Sequence, residues 1–366
     1  MIPVNKPFLP SKKEYDKFTE GIWNNGWLTN SGPLSIELED KLKVRLGVNN
    51  VLFVSNGTMA LQLAIAGLEL TGEIITTPFS FIATTTSIIW QNCTPVFGDI
   101  EADTLNIDTS TIEELITAKT TGILVTHVYG NPCDVHSIEA IAKKYNLKVI
   151  YDGAHAFDVQ LNNEPIFKHG NISICSLHAS KLYHSVEGGL VACNDNKIAA
   201  KITRIRNFGF TSPESFNELG INGKNSEFHA AMGLINYSHI EKLISKRKLL
   251  SDKYDELLVS FAARKPVWNK SATKNYSYYP LIFCNEEFML KCMKFLQEND
   301  VFTRRYFYPS LASALKFLPT KSLAITDKVS KKVLCLPLFY ELTVDEVKKI
   351  SDLMNKFQRN NLNLVK

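Results

Sequence analysis

The chain lacks any apolar run of membrane-spanning length, because glycine, threonine or charge breaks its longest apolar stretches. Its opening residues, Met1-Ile2-Pro3-Val4-Asn5-Lys6-Pro7, lack the apolar core of a signal peptide. Paired cysteine motifs are missing too. Cys93, Cys133, Cys175, Cys193, Cys284, Cys292 and Cys335 are odd in number and contain no CxxC. That argues against a disulfide framework or a zinc site, and the expectation is buried, reduced thiols in a cytoplasmic protein. Charge of one sign is scarce: the formal net charge is +4, with only a mild lysine cluster at Lys242 to Lys253. No nucleic-acid-binding stripe follows from that. Internal repeats and low-complexity tracts are absent as well.

What remains is an ordinary globular composition, 45% hydrophobic and 21% charged over 366 residues. That length supports a large core and two domains. The first two-thirds alternate strand and helix patterns. Strands are predicted at Val51 to Ser55, Glu73 to Thr77, Pro95 to Phe97, Gly122 to Thr126 and Lys148 to Tyr151. Ile172 to Leu177 and Leu190 to Cys193 add two more. Helices are predicted at Lys12 to Asn24, Met59 to Leu68, Phe81 to Gln91 and Val135 to Tyr145, and continuously from Ser226 to about Leu258. Such alternation predicts an α/β fold with a mostly parallel sheet covered by helices. The remainder mixes a strand at Tyr278 to Phe283 with helices at Glu287 to Glu298 and Val344 to Phe357, a smaller α+β domain. The expected boundary lies between residues 1–238 and 239–366, and the N-terminal segment could pack on the small domain.

Lys181 is the most informative residue. It lies in Ser176-Leu177-His178-Ala179-Ser180-Lys181, ahead of Val186-Glu187-Gly188-Gly189, between two apolar strands. A lysine held between buried strands is costly to desolvate. One that can lose its proton can form a Schiff base with an aldehyde cofactor. Upstream, Ser55-Asn56-Gly57-Thr58 places a glycine turn before a helix, whose free amides and dipole suit a phosphate. Taken alone it is more often an ordinary strand-to-helix turn with a Thr cap. Asp152 follows a buried strand, where it could pair with a protonated pyridine nitrogen and keep that ring an electron sink; an N-cap is the plain alternative. His155, three residues on, could face the same pocket, although a lone histidine is more often structural. Phe79 or Phe81 could stack on a flat heterocycle, or simply fill the core. Ser176 could offer a hydroxyl to the phosphate, or cap its loop. In open α/β sheets, ligands gather at the carboxyl ends of strands, where Ser55, Asp152 and Leu177 all fall.

The ordered set resembles fold-type-I, aspartate-aminotransferase-like pyridoxal phosphate enzymes. More narrowly, it is similar to the DegT/DnrJ/StrS family of sugar aminotransferases. The segments SNGTMALQLA, TTPFSFIAT, HVYGNPCDVHSI, VIYDGAHAF, SLHASKLYHSVEGG, GINGKNSEFHAA, RRYFYPSL and CLPLFYELT carry the resemblance over nearly the whole chain. It implies a large domain built on a mostly parallel seven-stranded sheet. It implies pyridoxal 5'-phosphate as cofactor, with Lys181 holding it covalently and acting as acid and base. Asp152 would pair with the ring nitrogen, and Phe81 would stack on the ring. Gly57, Thr58 and Ser176 would hold the phosphate. His155 replaces a glutamine common in the family and would lie near the ring hydroxyl.

Family members are homodimers with their sites at the interface. Gly220-Ile221-Asn222-Gly223-Lys224 matches the family pattern G-x-N-x-R, so Asn222 would reach the phosphate bound by the partner subunit. Lys224 stands where arginine is usual, which keeps a cation but loses the bidentate fork. The implied reaction moves an amino group from L-glutamate to a nucleotide-linked keto sugar. Relatives that deoxygenate keto sugars carry histidine in place of the lysine, so Lys181 favours transamination over a dehydratase or lyase. The motif around Lys181 and the early Leu28-Thr29-Asn30-Ser31-Gly32-Pro33 are similar to enzymes aminating carbon 4 of a 4-keto-6-deoxyhexose. The branch forming dTDP-4-amino-4,6-dideoxyglucose (viosamine) fits best, with carbon 3 amination as the alternative. His178, His184, Asn30, Ser31, Lys224, Arg304, Arg305 and Tyr308 are candidate sugar or nucleotide contacts. A non-catalytic regulator on the same fold is the third reading, and intact Asp152 and Lys181 count against it. The nucleoside, the sugar stereochemistry and the pathway stay open at this level; O-antigen of lipopolysaccharide, capsule, glycoprotein and antibiotic sugars are all compatible.

Overall fold

The computed structural model describes residues 1–365. Its centre is a seven-stranded sheet in the order β1-β7-β6-β5-β4-β2-β3. The strands are β1 (Asn50–Val54), β2 (Glu73–Thr76), β3 (Thr94–Phe97), β4 (Thr120–Thr126), β5 (Lys148–Asp152), β6 (Ile172–Ser176) and β7 (Gly189–Cys193). Only β7 runs against the rest, pairing antiparallel with both β1 and β6.

Alternation of side chains assigns each face its own core. Val51, Phe53, Ile123, Val125, Val149 and Tyr151 face one way, onto α2 (Pro33–Leu46), α5 (Val135–Tyr145) and α7 (Glu227–Tyr237). Leu52, Val54, Leu124, Ile150 and Val191 face the other, onto α3 (Gly57–Gly67), α4 (Ile82–Trp90) and α6 (Asn196–Ile205). Both faces are covered, so the strands read as near-continuous apolar runs. The register sets Thr126 beside Asp152, and Ser176 beside Gly189.

Of the helices packed on the sheet, α2 and α6 escaped the sequence reading. The reason is plain for α2. Its N-cap is Gly32, which has no side chain to offer. The cap comes instead from the buried carboxylate of Glu227, 192 to 193 residues away. It accepts from the Leu34 and Ser35 amides at 2.7 and 2.9 Å, and from Ser35 Oγ at 2.6 Å. A Cβ on Gly32 would fall 2.6 Å from both Glu227 Cδ and the Trp27 ring, so only glycine permits this approach. The predicted single helix from Ser226 to Leu258 is two helices, α7 and α8 (Ile240–Leu257). The chain tightens at Ser238 and His239, whose amides bond three residues back to Ile235 and Asn236. The Ser238 hydroxyl also returns to the Ile235 carbonyl.

Helix α8 starts in the first core with Ile240 and ends in another with Leu250 and Tyr254. This second core joins the antiparallel strands Ala263–Arg264, Tyr279–Phe283 and Val333–Leu336 to helices Glu286–Glu298 and Val344–Asn360. A smaller cluster of Phe79, Val128 and Tyr129 with Ile282, Phe307 and Val333 fastens the two together. The N-terminal segment lies across both. Ile2 pairs with Val301, the Leu338 amide donates to Val4 O, and Asn5 Nδ2 donates to Ser180 O at 2.7 Å. Six of the seven cysteines are buried; Cys284 is exposed, contrary to expectation, because it closes a strand at the surface.

Candidate active site

The ends of β1, β5 and β6 meet at one edge of the sheet. At β1, Asn56 caps α3 and its Oδ1 accepts from the Met59 amide at 2.8 Å. That leaves the amides of Gly57 and Thr58, first in the helix, outside the cap bond. A Cβ on Gly57 would fall 2.9 Å from Ser176 Cβ and 3.2 Å from Ser176 Oγ. The glycine therefore brings the helix terminus against the Ser176 hydroxyl, and the two form a cradle for an anion.

Asp152 is 4% exposed. Its Oδ2 accepts from Thr84 Oγ1 at 2.7 Å and its Oδ1 from the Ala154 amide at 3.1 Å. Burial pushes its pKa up, against the pull of these two bonds and of the Lys181 charge. Both direct donors are neutral, so the carboxylate is equipped for a cation it does not yet touch. Thr84 continues a buried hydroxyl chain through Ser80 to Thr126 at 2.7 and 2.8 Å. It lies one turn beyond Phe81 on α4, on the same helix face. Phe81 is 53% exposed, whereas Phe79 is buried edge-on against Tyr129 and Phe307. Of the two phenylalanines, Phe81 has a ring free to meet a ligand and Phe79 belongs to the core.

The Lys181 loop is held by its own backbone. The Leu177 and Ala179 amides donate to Gly188 O and Val186 O, and the Lys181 amide to His178 O at 2.8 Å. Lys181, His155, Ser176 and Tyr278 line one small cavity. Burial pushes the Lys181 amine below the usual lysine range, outweighing Asp152, Cys175 and Tyr306, which pull the other way. A neutral amine is a nucleophile. Burial, helped by the Lys181 charge, also holds His155 well below its usual value, so the ring is neutral. His155 stacks on Phe307 at 5.5 Å, and its buried Nδ1 has no partner among the described residues.

The other candidates lie further out. His178 is exposed, with Nδ1 2.7 Å from Ser180 Oγ and Nε2 3.6 Å from Glu187. Asn30 and Ser31 turn a surface loop with φ of 63° and 54°. Asn222 is exposed and bridges to Asn207, and Lys224 Nζ bonds Asn207 Oδ1 at 2.8 Å above the Phe208 ring. Arg304 is exposed and stacks on Tyr306, while Arg305 pairs with Glu286 and lies 3.4 Å over the exposed Tyr308 ring. His184 is different. It is buried, its Nε2 donates to Phe8 O at 2.7 Å, and its Nδ1 accepts from the Val186 amide at 3.2 Å. Both ring nitrogens are spent on anchoring the N-terminal segment and the Lys181 loop, so the sugar contact expected of this residue is corrected to a scaffold role.

A family model, DegT/DnrJ/EryC1/StrS aminotransferases, matches residues 11–355. The chain belongs to that family. It is an aminotransferase, and pyridoxal phosphate is its cofactor. It is 40% identical, over 96% of its length and 98% of the other protein, to the dTDP-4-amino-4,6-dideoxy-D-glucose transaminase of Escherichia coli. It is 27% identical to the GDP-perosamine synthase of Vibrio cholerae, over 98% and 99% of the two chains. Among solved structures it matches DesI, determined in the presence of its TDP-sugar product. That match has a TM-score of 0.94 and 28% identity, covering 99% of this chain and 94% of DesI.

The residues present fit the family's cofactor. The Gly57–Ser176 cradle suits the phosphate, and Asp152 lacks a cation at the depth where a ring nitrogen would come. The orphaned His155 Nδ1 and the bare Phe81 ring complete the set. Sequence reasoning missed Thr84, Asn275, Ser277 and Tyr278. Asn275 Nδ2 donates to both His155 O and Phe157 O at 2.8 Å, and Ser277 Oγ donates to His155 O at 3.1 Å. For Thr84 a signal existed, its three-residue spacing from Phe81. For Asn275 to Ser277 the only signal was a polar-aromatic run with no element assigned to it, and Tyr278 was read only as the start of a strand.

Proposed function

We propose that this aminotransferase moves the amino group of L-glutamate to carbon 4 of dTDP-4-keto-6-deoxy-D-glucose, forming the 4-amino-4,6-dideoxy sugar nucleotide. The observation carrying this reading is the 40% identity to the Escherichia coli transaminase, sustained over 96% of the chain, with a lysine at position 181. Pyridoxal phosphate, when bound, supplies a carbonyl carbon that takes up an amine and a ring that accepts an electron pair.

The chain's own residues do the rest. Lys181 Nζ, kept short of its proton by burial, is the attacking amine. When not bonded to the cofactor, the same Nζ would serve as the acid and base that moves a proton in the transfer. Asp152, charged and desolvated, holds a proton on the ring nitrogen opposite it. Thr84 and the Ala154 amide fix the orientation of that carboxylate. The Gly57 and Thr58 amides and Ser176 Oγ anchor the phosphate, and Phe81 covers a ring face. His155, neutral, would offer its unpartnered Nδ1 to the ring hydroxyl.

A homodimer is part of the proposal. The loop carrying the exposed Trp27 and Leu28 meets the segment at Glu227, and the exposed Phe208, Phe216, Leu219 and Ile221 lie on a neighbouring fold-back. Such an apolar ridge beside the exposed Asn222 suits a second copy of the chain that receives this asparagine. His178, Asn30, Ser31, Lys224, Arg304 and Tyr308 are proposed to meet the sugar nucleotide. The seven free cysteines suit a reducing, cytoplasmic setting, and an O-antigen pathway is a compatible destination for the product.

The test is incubation with pyridoxal phosphate, glutamate and dTDP-4-keto-6-deoxyglucose, read by mass spectrometry and NMR. Nitrogen on carbon 4 is expected. Nitrogen on carbon 3, or loss of a hydroxyl without amination, would replace this reading by one of its two alternatives.

A further inference from the structure

A cleft outside the active site lies behind Tyr278; its interior measures about 100 Å³ and its mouth opens to solvent. Trp268, Tyr276 and Tyr278 are among its walls, and Ser251 of α8 and Lys274 also line it. Three features mark it as built for a ligand. Ser251 is 4% exposed, yet its Oγ has no hydrogen-bond partner among the described residues. A buried hydroxyl left unpaired is costly and calls for one. Asp252, Asp255 and Lys265 share the cleft with Lys274, but each of them already has an ion-pair partner. Lys265 takes Asp255 and Lys248 takes Asp252, while Lys274 forms no ion pair among the described residues and sits 5.7 Å over the Trp268 ring. Tyr276 has a φ of 55°, a backbone conformation side-chain-bearing residues rarely adopt. Such residues gather at ligand clamps and switches.

We propose that this cleft is a second binding site, taking a small anion with a flat ring. The anionic group would meet Lys274, the ring would lie against Trp268 and Tyr276, and a polar substituent would reach Ser251 Oγ. The cleft also has a mechanical link to the active site. Tyr276 lies between Asn275 and Ser277, both of which clamp the His155 carbonyl, and Tyr278 lines both cavities. A ligand that fixes Tyr276 therefore fixes the strap holding His155. The occupied cleft tightens the loop at residues 153–157 and so reports to the active site.

The probe is 4-hydroxyphenylacetate, with its neutral amide as control, titrated by calorimetry into the full chain loaded with cofactor. Lys274→Met should weaken the carboxylate about tenfold or more, the value of one charge-assisted contact, and leave the amide unchanged. Lys274→Arg, which keeps the charge, should retain binding, and Ser251→Ala should weaken both probes. No binding at millimolar probe, or equal binding to wild type and Lys274→Met, overturns the site. Hydrogen exchange at residues 153–157 should slow when the probe is bound. Unchanged exchange with the probe bound overturns the link while leaving the site.

Discussion

Thr84→Val removes one hydroxyl from a fully buried position and changes little in shape. In the native chain that hydroxyl donates to Asp152 Oδ2 at 2.7 Å, one of two direct hydrogen bonds to this carboxylate among the described residues. A hydrogen bond to a charged group contributes about 1.5–3 kcal/mol. The cost depends on pH, and its sign follows from burial. Asp152 has a native pKa raised above its ordinary value, so the folded state holds the proton more tightly than the unfolded chain does. Stability from this group is therefore full in acid, below the unfolded value, and falls as pH rises through the raised native value. Losing the Thr84 donor raises that native value further. The variant also loses the bond to Ser80 Oγ at every pH, so it should fall short of wild type at pH 4 as well, and by about 1.5–3 kcal/mol more at pH 8. Urea titrations of the cofactor-free protein at the two pH values measure this. Turnover of the loaded enzyme should fall about 10- to 100-fold, the same energy expressed in the transition state. Thr84→Ser keeps the hydroxyl and should behave nearly as wild type in the pH test. A deficit equal at both pH values, or below about 0.5 kcal/mol at pH 8, would show that Thr84 does not hold the charged carboxylate.

Lys181→Ala should abolish turnover and the visible absorbance of the lysine-linked cofactor, while leaving the urea midpoint unchanged or higher because a buried amine is gone. Asp152→Asn should cut turnover by several orders of magnitude yet leave the cofactor attached; activity near wild type would contradict the role given to Asp152. Gly57→Ala pushes a methyl to 2.9 Å from Ser176 Cβ, and equilibrium dialysis should show cofactor affinity reduced about tenfold or more, with the circular dichroism of the apoprotein retained. Glu227→Gln leaves the α2 terminus capped by a neutral amide, and thermal unfolding at neutral pH should show a loss of about 1–2 kcal/mol.

The parts of the fold written in local pattern were legible. Strands β1 to β7 announced themselves as apolar runs because both sheet faces are covered, and α5 was predicted to the residue. Elements fixed by distant partners were not. Helix α2 takes its cap from Glu227, and the break before α8 depends on hydrogen bonds that no periodicity displays. The site divides the same way. Lys181, Asp152, Gly57 and Ser176 lie at strand ends, where topology alone makes them converge. Asn275, Ser277 and Tyr278 arrive from the far side of α8, some 120 residues from the His155 they hold, and spacing offers no clue to such a meeting. His184 shows the converse hazard, since a histidine three residues from the key lysine turned out to serve the backbone.

The N-terminal segment has a consequence for the timing of assembly on the ribosome. Ile2 bridges to Val301, and Asn5 then reaches the Ser180 carbonyl beside Lys181. Nearly 300 residues separate the two halves of that first contact. At about 5–20 residues per second, the segment must wait roughly 15–60 s for its partner to be made. The central sheet, complete by Cys193, can close well before that. The loop bearing Lys181, already closed by its own backbone bonds, thus gains its Asn5 brace only after residue 301 has been made.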